Sequence, residues 1–345
     1  MPAVTTSGII KQTWGDTHLY SLKNAQGTQV DISSLGATIV NFFVNDKNNK
    51  RQNIVLGFNQ AQDYLDTKAY IGSVVGPWAN RIAGGKFPLN GEIISLELNE
   101  GTNHLHGASI HMDKQDWSVE SFSEQSICLA LRTKEGDSGY PANINFTVEY
   151  VLNDDNELSI EYSATTDKAV PINVTQHTYF NLSGCHEKIV DHRISIDADH
   201  YLKIDDKSIP MSKESVGETA MDLRTSKLIQ EGLLADEQQI KLVNGYDHCW
   251  CLNQDDFALA AQVNCDSTGL QMQVFTDQNA IQLYTGNALP GEIGREGQAY
   301  DAYYGLCLET QHYPNQVNMP DIAEQCIYTP ERPYSHKTMF KIAVN

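Results

Sequence analysis

The sequence predicts an all-β chain, a large antiparallel β-sandwich with few short helices. Three observations predict it: apolar residues alternate with polar ones in many short runs, helical periodicity is nearly absent, and turn residues separate the runs. Alternation with period two puts every second side chain on one face of a sheet. In the clearest case Phe146, Val148, Tyr150 and Leu152 alternate with smaller or polar residues. Asn153-Asp154-Asp155-Asn156 then turns the chain, and Leu158, Ile160, Tyr162 and Ala164 resume the pattern, so a hairpin is expected. Asn90-Gly91, tolerant of positive φ, predicts a second hairpin whose inner face continues through Ile94, Leu96 and Leu98. Further strand faces are read at Val40/Phe42/Val44, Ile127/Leu129/Leu131, Ile194/Ile196/Ala198, Phe257/Leu259/Ala261/Val263 and Leu270/Met272/Val274. Only 225–235 looks helical, with Thr225 or Ser226 as its N-cap. No linker, composition break or long internal repeat divides the chain, so one domain over 1–345 is expected.

Lys and Arg total 24 against 44 Asp and Glu, a formal net charge of −20. That charge repels a phosphate backbone or an anionic bilayer, which excludes nucleic acid and acidic lipid as partners and suits a neutral ligand. The seven cysteines are scattered, and the first residues lack a basic stretch followed by an apolar one, so a reduced, cytoplasmic protein is expected. No apolar run is long enough to span a membrane. Sequons begin at Asn145, Asn173 and Asn181; the last two flank a segment read below as the active site, where a glycan would obstruct, and they are taken as chance.

Six polar segments interrupt the strand patterns with residues able to grip hydroxyls or move protons. They are GPWANRIAGG at 76–85, NHLHG at 103–107, PINVTQHTYFNLSG at 171–184, GYDHCW at 245–250, QLYTGN at 282–287 and GLCLETQHYP at 305–314. In this order and spacing they resemble the aldose 1-epimerase (galactose mutarotase) family, over nearly the whole chain from Leu56-Gly57-Phe58 to the closing Pro333-Tyr334-Ser335-His336 segment. The resemblance implies a supersandwich fold, no cofactor, no metal, and a shallow cleft that binds a monosaccharide, an aldohexose such as galactose or glucose. A monomer and a homodimer are both compatible with it. It also implies residue roles. His177 matches the family's general acid toward the ring oxygen, and Glu309 its general base on the anomeric hydroxyl. Asn80, Arg81, His106, Asp247 and Gln282 match substrate-holding positions, and Tyr179 stands where a further contact is often placed.

These residue types suit the chemistry. Opening a cyclic hemiacetal removes a proton from the C1 hydroxyl while another arrives at O5, so a base and an acid must address adjacent oxygens. With ordinary pKa values of about 4.3 and 6.5, an ionised Glu309 and a protonated His177 require modest tuning, and Asp247 is expected to help keep the imidazole charged. Arg81, Asn80, Asp247 and Gln282 offer complementary groups to sugar hydroxyls, and Trp78 or Tyr179 an apolar face.

Blander readings compete. His104-x-His106, with His111 nearby, has the same-face spacing of a zinc pair, yet no metal is expected. Cys249-x-Cys251 reads as small core residues. A non-catalytic sugar-binding protein on the same fold, a glycosidase using Glu309 and Asp247, and a hexose-phosphate epimerase are the rival functions. The chain departs from the family pattern at Pro77-Trp78, Ala108 and Gln176, which are expected to touch the cleft walls and to bear on sugar preference.

Overall fold

The computed structural model describes residues 10–254 and 256–345. Its largest sheet has nine strands, in the order Ser118–Phe122, Ser126–Thr133, Ile144–Leu152, Glu157–Thr166, Tyr334–Val344, Leu270–Thr276, Ala258–Cys265, Arg193–Ile196 and Lys227–Leu228. A five-stranded sheet runs from Ile10–Trp14 to Arg51–Asn53 in sequence order. Another has the order Pro210–Ser215, His200–Ile204, Asp247–Cys251, Ala280–Tyr284 and Cys307–Gln311, and it carries much of the site. Among the described residues the strands of all three sheets pair antiparallel.

The 146–164 hairpin forms as its alternation predicts. Leu152 pairs with Leu158 across the turn, and every residue of the two predicted faces is buried. Asn153 caps the turn by accepting from the amides of Asp155 and Glu157 at 2.9 and 3.1 Å. Burying each large apolar side chain of this face stabilises the fold by about 1.5–3 kcal/mol. The five-stranded N-terminal sheet contributes to the same core through Val30, Ile32, Phe42 and Val44.

Three local readings need correction. Asn90-Gly91 does connect Lys86–Leu89 to Glu92–Ser95, but the hairpin stands alone as a two-stranded sheet: Leu96 is buried in the core, Ile94 packs against it half-buried, and Leu98 is 50% exposed. The Phe257/Leu259/Ala261/Val263 face is broken by a register shift between Leu259 and Ala261. The extra residue of this bulge flips the alternation. Phe257 and Leu259 therefore point to solvent, at 40% and 38% exposure, while Ala260, Ala261 and Val263 are buried. In 225–235, Lys227–Leu228 is strand and the helix is only Ile229–Leu233, capped by Leu228 without a side-chain bond. Two further short helices, Ala61–Asp66 and Gln238–Val243, are too brief to leave a periodic signal.

The segment 171–184 threads between other strands and so fixes the site. Thr175–Gln176 pairs with Val74–Val75, the Thr175 hydroxyl donates to the Thr310 carbonyl at 2.9 Å, and Phe180 exchanges backbone hydrogen bonds with Leu306. The Phe180 ring packs on Phe340 of the central strand at 4.8 Å. Phe340→Ala is expected to destabilise the protein by about 3–5 kcal/mol, whereas Leu98→Ser stays within about 0.5 kcal/mol, both read from denaturant midpoints.

Candidate active site

Strand alternation places Cys307, Glu309 and Gln311 on one face of their strand. Across the ladder Glu309 stands opposite Gln282, and Gln282 opposite Cys249; one row along, Cys307, Tyr284 and Asp247 are aligned. The segment 171–184 brings in His177, whose amide donates to the Ser73 carbonyl at 2.8 Å and whose carbonyl accepts from Gly72 at 3.0 Å. Its Nε2 lies 3.8 Å from Glu309 Oε1, with both side chains buried. The two residues read as acid and base thus meet in one cleft, although they come from distant parts of the chain.

Pairing of Arg81–Ile82 with His104–Leu105 delivers the next group. Asn80 takes a left-handed backbone, φ 64°, its amide donates to His106 Nδ1 at 3.1 Å, and its side-chain oxygen accepts from the Arg81 amide at 2.8 Å. Arg81 is gripped by Glu100, Nε to Oε2 at 2.8 Å and Nη2 to Oε1 at 2.6 Å. Such a bidentate pair fixes the plane of the guanidinium while leaving its charge at the cleft. Gly107 completes the corner: its φ is 82°, and a Cβ there would stand 1.9 Å from the Gly76 carbonyl oxygen, so no other residue fits without moving backbone.

Asn80, Arg81, His106, His177, Tyr179, Asp247 and Glu309 all line one cleft of about 720 Å³. Gln282 does not line it. Its amide nitrogen donates to Asp247 Oδ1 at 2.7 Å and holds that carboxylate from below. The Tyr179 hydroxyl is spent on the Ala69 carbonyl at 3.0 Å, so this residue offers its ring, tilted against His177, rather than a free hydroxyl. Trp78 is fully buried in the core and does not line the cleft, which overturns the expectation of a sugar platform there. Pro77, Ala108 and Gln176 do not reach the cleft either; Gln176 bonds the Gly72 carbonyl and accepts from Tyr150 Oη at 3.0 Å. The departures from the family pattern therefore alter packing behind the walls. Tyr70 and Glu100 were not singled out from sequence, since they lie in a turn and a loop outside the marked segments, and Tyr284, inside the 282–287 segment, was given no role of its own.

Burial dominates the electrostatics. It pushes the Glu309 carboxyl up to about 8, with the Asp247 charge adding to the rise and Arg81 opposing it. Burial also pushes the His177 imidazole down to about 4. The modest tuning expected from sequence is thus corrected: removing water disfavours both charges, and Asp247 acts on Glu309 rather than sustaining an imidazolium. Burial thus favours the neutral form of both groups.

His106, His177 and Glu309 each offer a ligand atom within 4.8 Å of the others, the spacing of a metal triad. Proton positions argue against that use. His106 Nδ1 accepts from the Asn80 amide, so its proton sits on Nε2, and burial holds the ring neutral. His106 is therefore a fixed donor toward the cleft and not a ligand. His104 is engaged at both nitrogens, with the Glu97 carbonyl at 2.7 Å and Tyr140 Oη at 2.9 Å, which removes the zinc pair read from spacing. Cys249 and Cys251 are buried, free core residues.

The model of the family described as aldose 1-epimerase matches residues 18–341. The chain belongs to the aldose 1-epimerase family. It is 36% identical to the aldose 1-epimerase of Escherichia coli strain K12 over 94% of each chain, and 37% identical to the galactose mutarotase of Homo sapiens over 92% of this chain and 91% of that one. Among solved structures, an aldose epimerase homologue from C. elegans superposes with a TM-score of 0.89 at 26% identity, covering 95% of this chain and 99% of that one. The galactose 1-epimerase from Lactobacillus acidophilus NCFM gives 0.85 at 29% identity, covering 98% of both. The expected sandwich is borne out, and the protein is an isomerase that interconverts the α and β anomers of an aldose.

Two outcomes follow from the electrostatics. Asp247→Asn lowers the Glu309 pKa, because it removes a neighbouring negative charge; a carbon-13 titration of the glutamate carboxyl reads the shift. Glu309 carries a raised folded pKa, so the native state holds a proton that the unfolded chain has lost between pH 4.5 and about 8. Native stability conferred by that proton is complete below 4.5 and is lost as pH rises through 8. Glu309→Gln is therefore expected to gain stability over the parent progressively across that window, measured by denaturant unfolding at pH 4.5 and 8.

Proposed function

We propose that one domain spanning 1–345 catalyses mutarotation of free aldohexoses such as galactose and glucose, with Glu309 as base and His177 as acid. The observation that carries the role assignment is the 3.8 Å approach of His177 Nε2 to Glu309 Oε1 inside the cleft. O1 and O5 of a hemiacetal are bonded to the same carbon, so their proton carriers must themselves be neighbours.

Glu309 takes the C1 hydroxyl proton as the C1–O5 bond breaks. The bonding pair goes to O5, which receives the His177 proton, and C1 becomes an aldehyde carbon. Rotation about C1–C2 turns the other carbonyl face toward O5, and reversal of both transfers closes the opposite anomer. A hydroxyl that donates to Glu309 stabilises the carboxylate, so sugar binding draws the proton from Glu309 toward the imidazole. His106 Nε2–H, fixed by the Asn80 amide, is placed to hold O5 beside His177. Asn80, Arg81 and Asp247 hold the remaining hydroxyls, Gln282 acts through Asp247, and Tyr179 supports the His177 ring.

An acidic chain of net charge −20 supports a neutral sugar as ligand and disfavours nucleic acid and anionic lipid. The seven free cysteines support a reducing compartment such as the cytoplasm. No helix among the described residues is long and apolar enough to cross a membrane.

Glu309→Gln and His177→Asn are each expected to reduce kcat by about 10²–10⁴-fold in polarimetric relaxation of fresh α-galactose, with the fold retained by circular dichroism. Parental relaxation rates in a folded Glu309→Gln variant would refute the assignment.

A further inference from the structure

Tyr70 lines the cleft half-buried, yet its backbone is left-handed at φ 55°, a region that bulky residues avoid. The surrounding turn imposes that geometry. The Tyr70 carbonyl accepts from the Ser73 amide at 3.2 Å and from the Ser73 hydroxyl at 2.9 Å. The same turn is docked on the acid: Gly72 donates to the His177 carbonyl at 3.0 Å, and the Ser73 carbonyl accepts from the His177 amide at 2.8 Å. The Tyr70 ring consequently stands 4.8 Å from the His106 ring and 5.8 Å from the His177 ring, which are themselves 5.5 Å apart. Three rings thus enclose one corner of the cleft, the corner where both imidazoles are available to the ring oxygen.

Strain retained at a cleft residue marks a position over-determined by its surroundings. Glycine or asparagine would meet the backbone demand with less strain. The side chain is what a turn built on either would lose. We propose that Tyr70 is a substrate-contacting residue whose ring packs against the C–H groups of the pyranose and closes the imidazole corner against water. This rests on the mutarotase reading above. A sugar whose O5 is bonded by His177 and His106 must lie beside this ring, and its C–H groups supply the apolar surface that an aromatic wall accepts. The phenol stays protonated, since burial, aided by the Asp113 and Glu100 charges, pushes it up to about 12.

Tyr70→Gly and Tyr70→Phe separate the possibilities, each assayed for mutarotation of α-galactose and α-glucose and for Tm. Tyr70→Phe is expected to keep kcat/KM within about threefold, because the ring remains. Tyr70→Gly is expected to lose roughly tenfold or more in kcat/KM, with KM raised, while Tm is unchanged or higher because glycine accepts the backbone without steric cost. If Tyr70→Gly fails to fold, Tyr70→Asn, which also tolerates left-handed backbone, carries the same expectation. Undiminished kcat/KM in the glycine or asparagine variant overturns the proposal. So does a loss of activity that merely tracks a lowered Tm, since that assigns Tyr70 to packing. Failure of the parent protein to accelerate mutarotation would instead overturn the reading beneath, leaving the two failures distinguishable.

Discussion

A carboxyl and an imidazole held 3.8 Å apart, both almost wholly buried at the base of a cleft, is the constraint on which the rest of this structure depends. Burial costs each group its charge, and a buried carboxylate oxygen of Glu309 has no protein partner. A site of this kind persists only where rigid neighbours prevent its collapse. The neighbours here are strands: Glu309 is fixed by the Ala280–Tyr284 ladder, and His177 by backbone hydrogen bonds on both sides to the 72–73 turn. The Phe180–Phe340 contact then ties the His177 segment to the nine-stranded sheet, so the core layer is what holds imidazole against carboxyl.

Around that pair the polar groups divide into those that face the cleft and those that hold them. Glu100 fixes Arg81, Gln282 fixes Asp247, and the Asn80 amide fixes the proton of His106 on Nε2. Preorganised partners of this sort are worth more in a desolvated cleft than in water, because they need not reorganise as charge moves during the reaction. The same arrangement decides between two chemistries available to a His-His-Glu cluster. With the His106 imidazole locked as a donor, the cluster offers a metal ion only His177 and Glu309 as ready ligands.

Much of the fold was legible because sheet burial imposes a local rule, alternation, that survives in sequence; the 146–164 hairpin shows it residue by residue. Where a bulge or an isolated hairpin suspends that rule, as at 257–263 and 94–98, the reading failed. The site was legible to a different depth. His177, Glu309, Asn80, Arg81, His106, Tyr179 and Asp247 were named and do share a cleft, while Trp78 was misplaced and Tyr70 overlooked. An aromatic residue looks the same in sequence whether it fills a core or a wall.

The sequence alone determined the sandwich class, the acidic surface and the residue types available for moving protons, since alternation, net charge and side-chain chemistry are local or additive properties. Only the tertiary structure decided which residues meet, which of them face the ligand, and where the protons rest. Those depend on strand register and on the loss of water around each group, and both arise only when distant segments pack together.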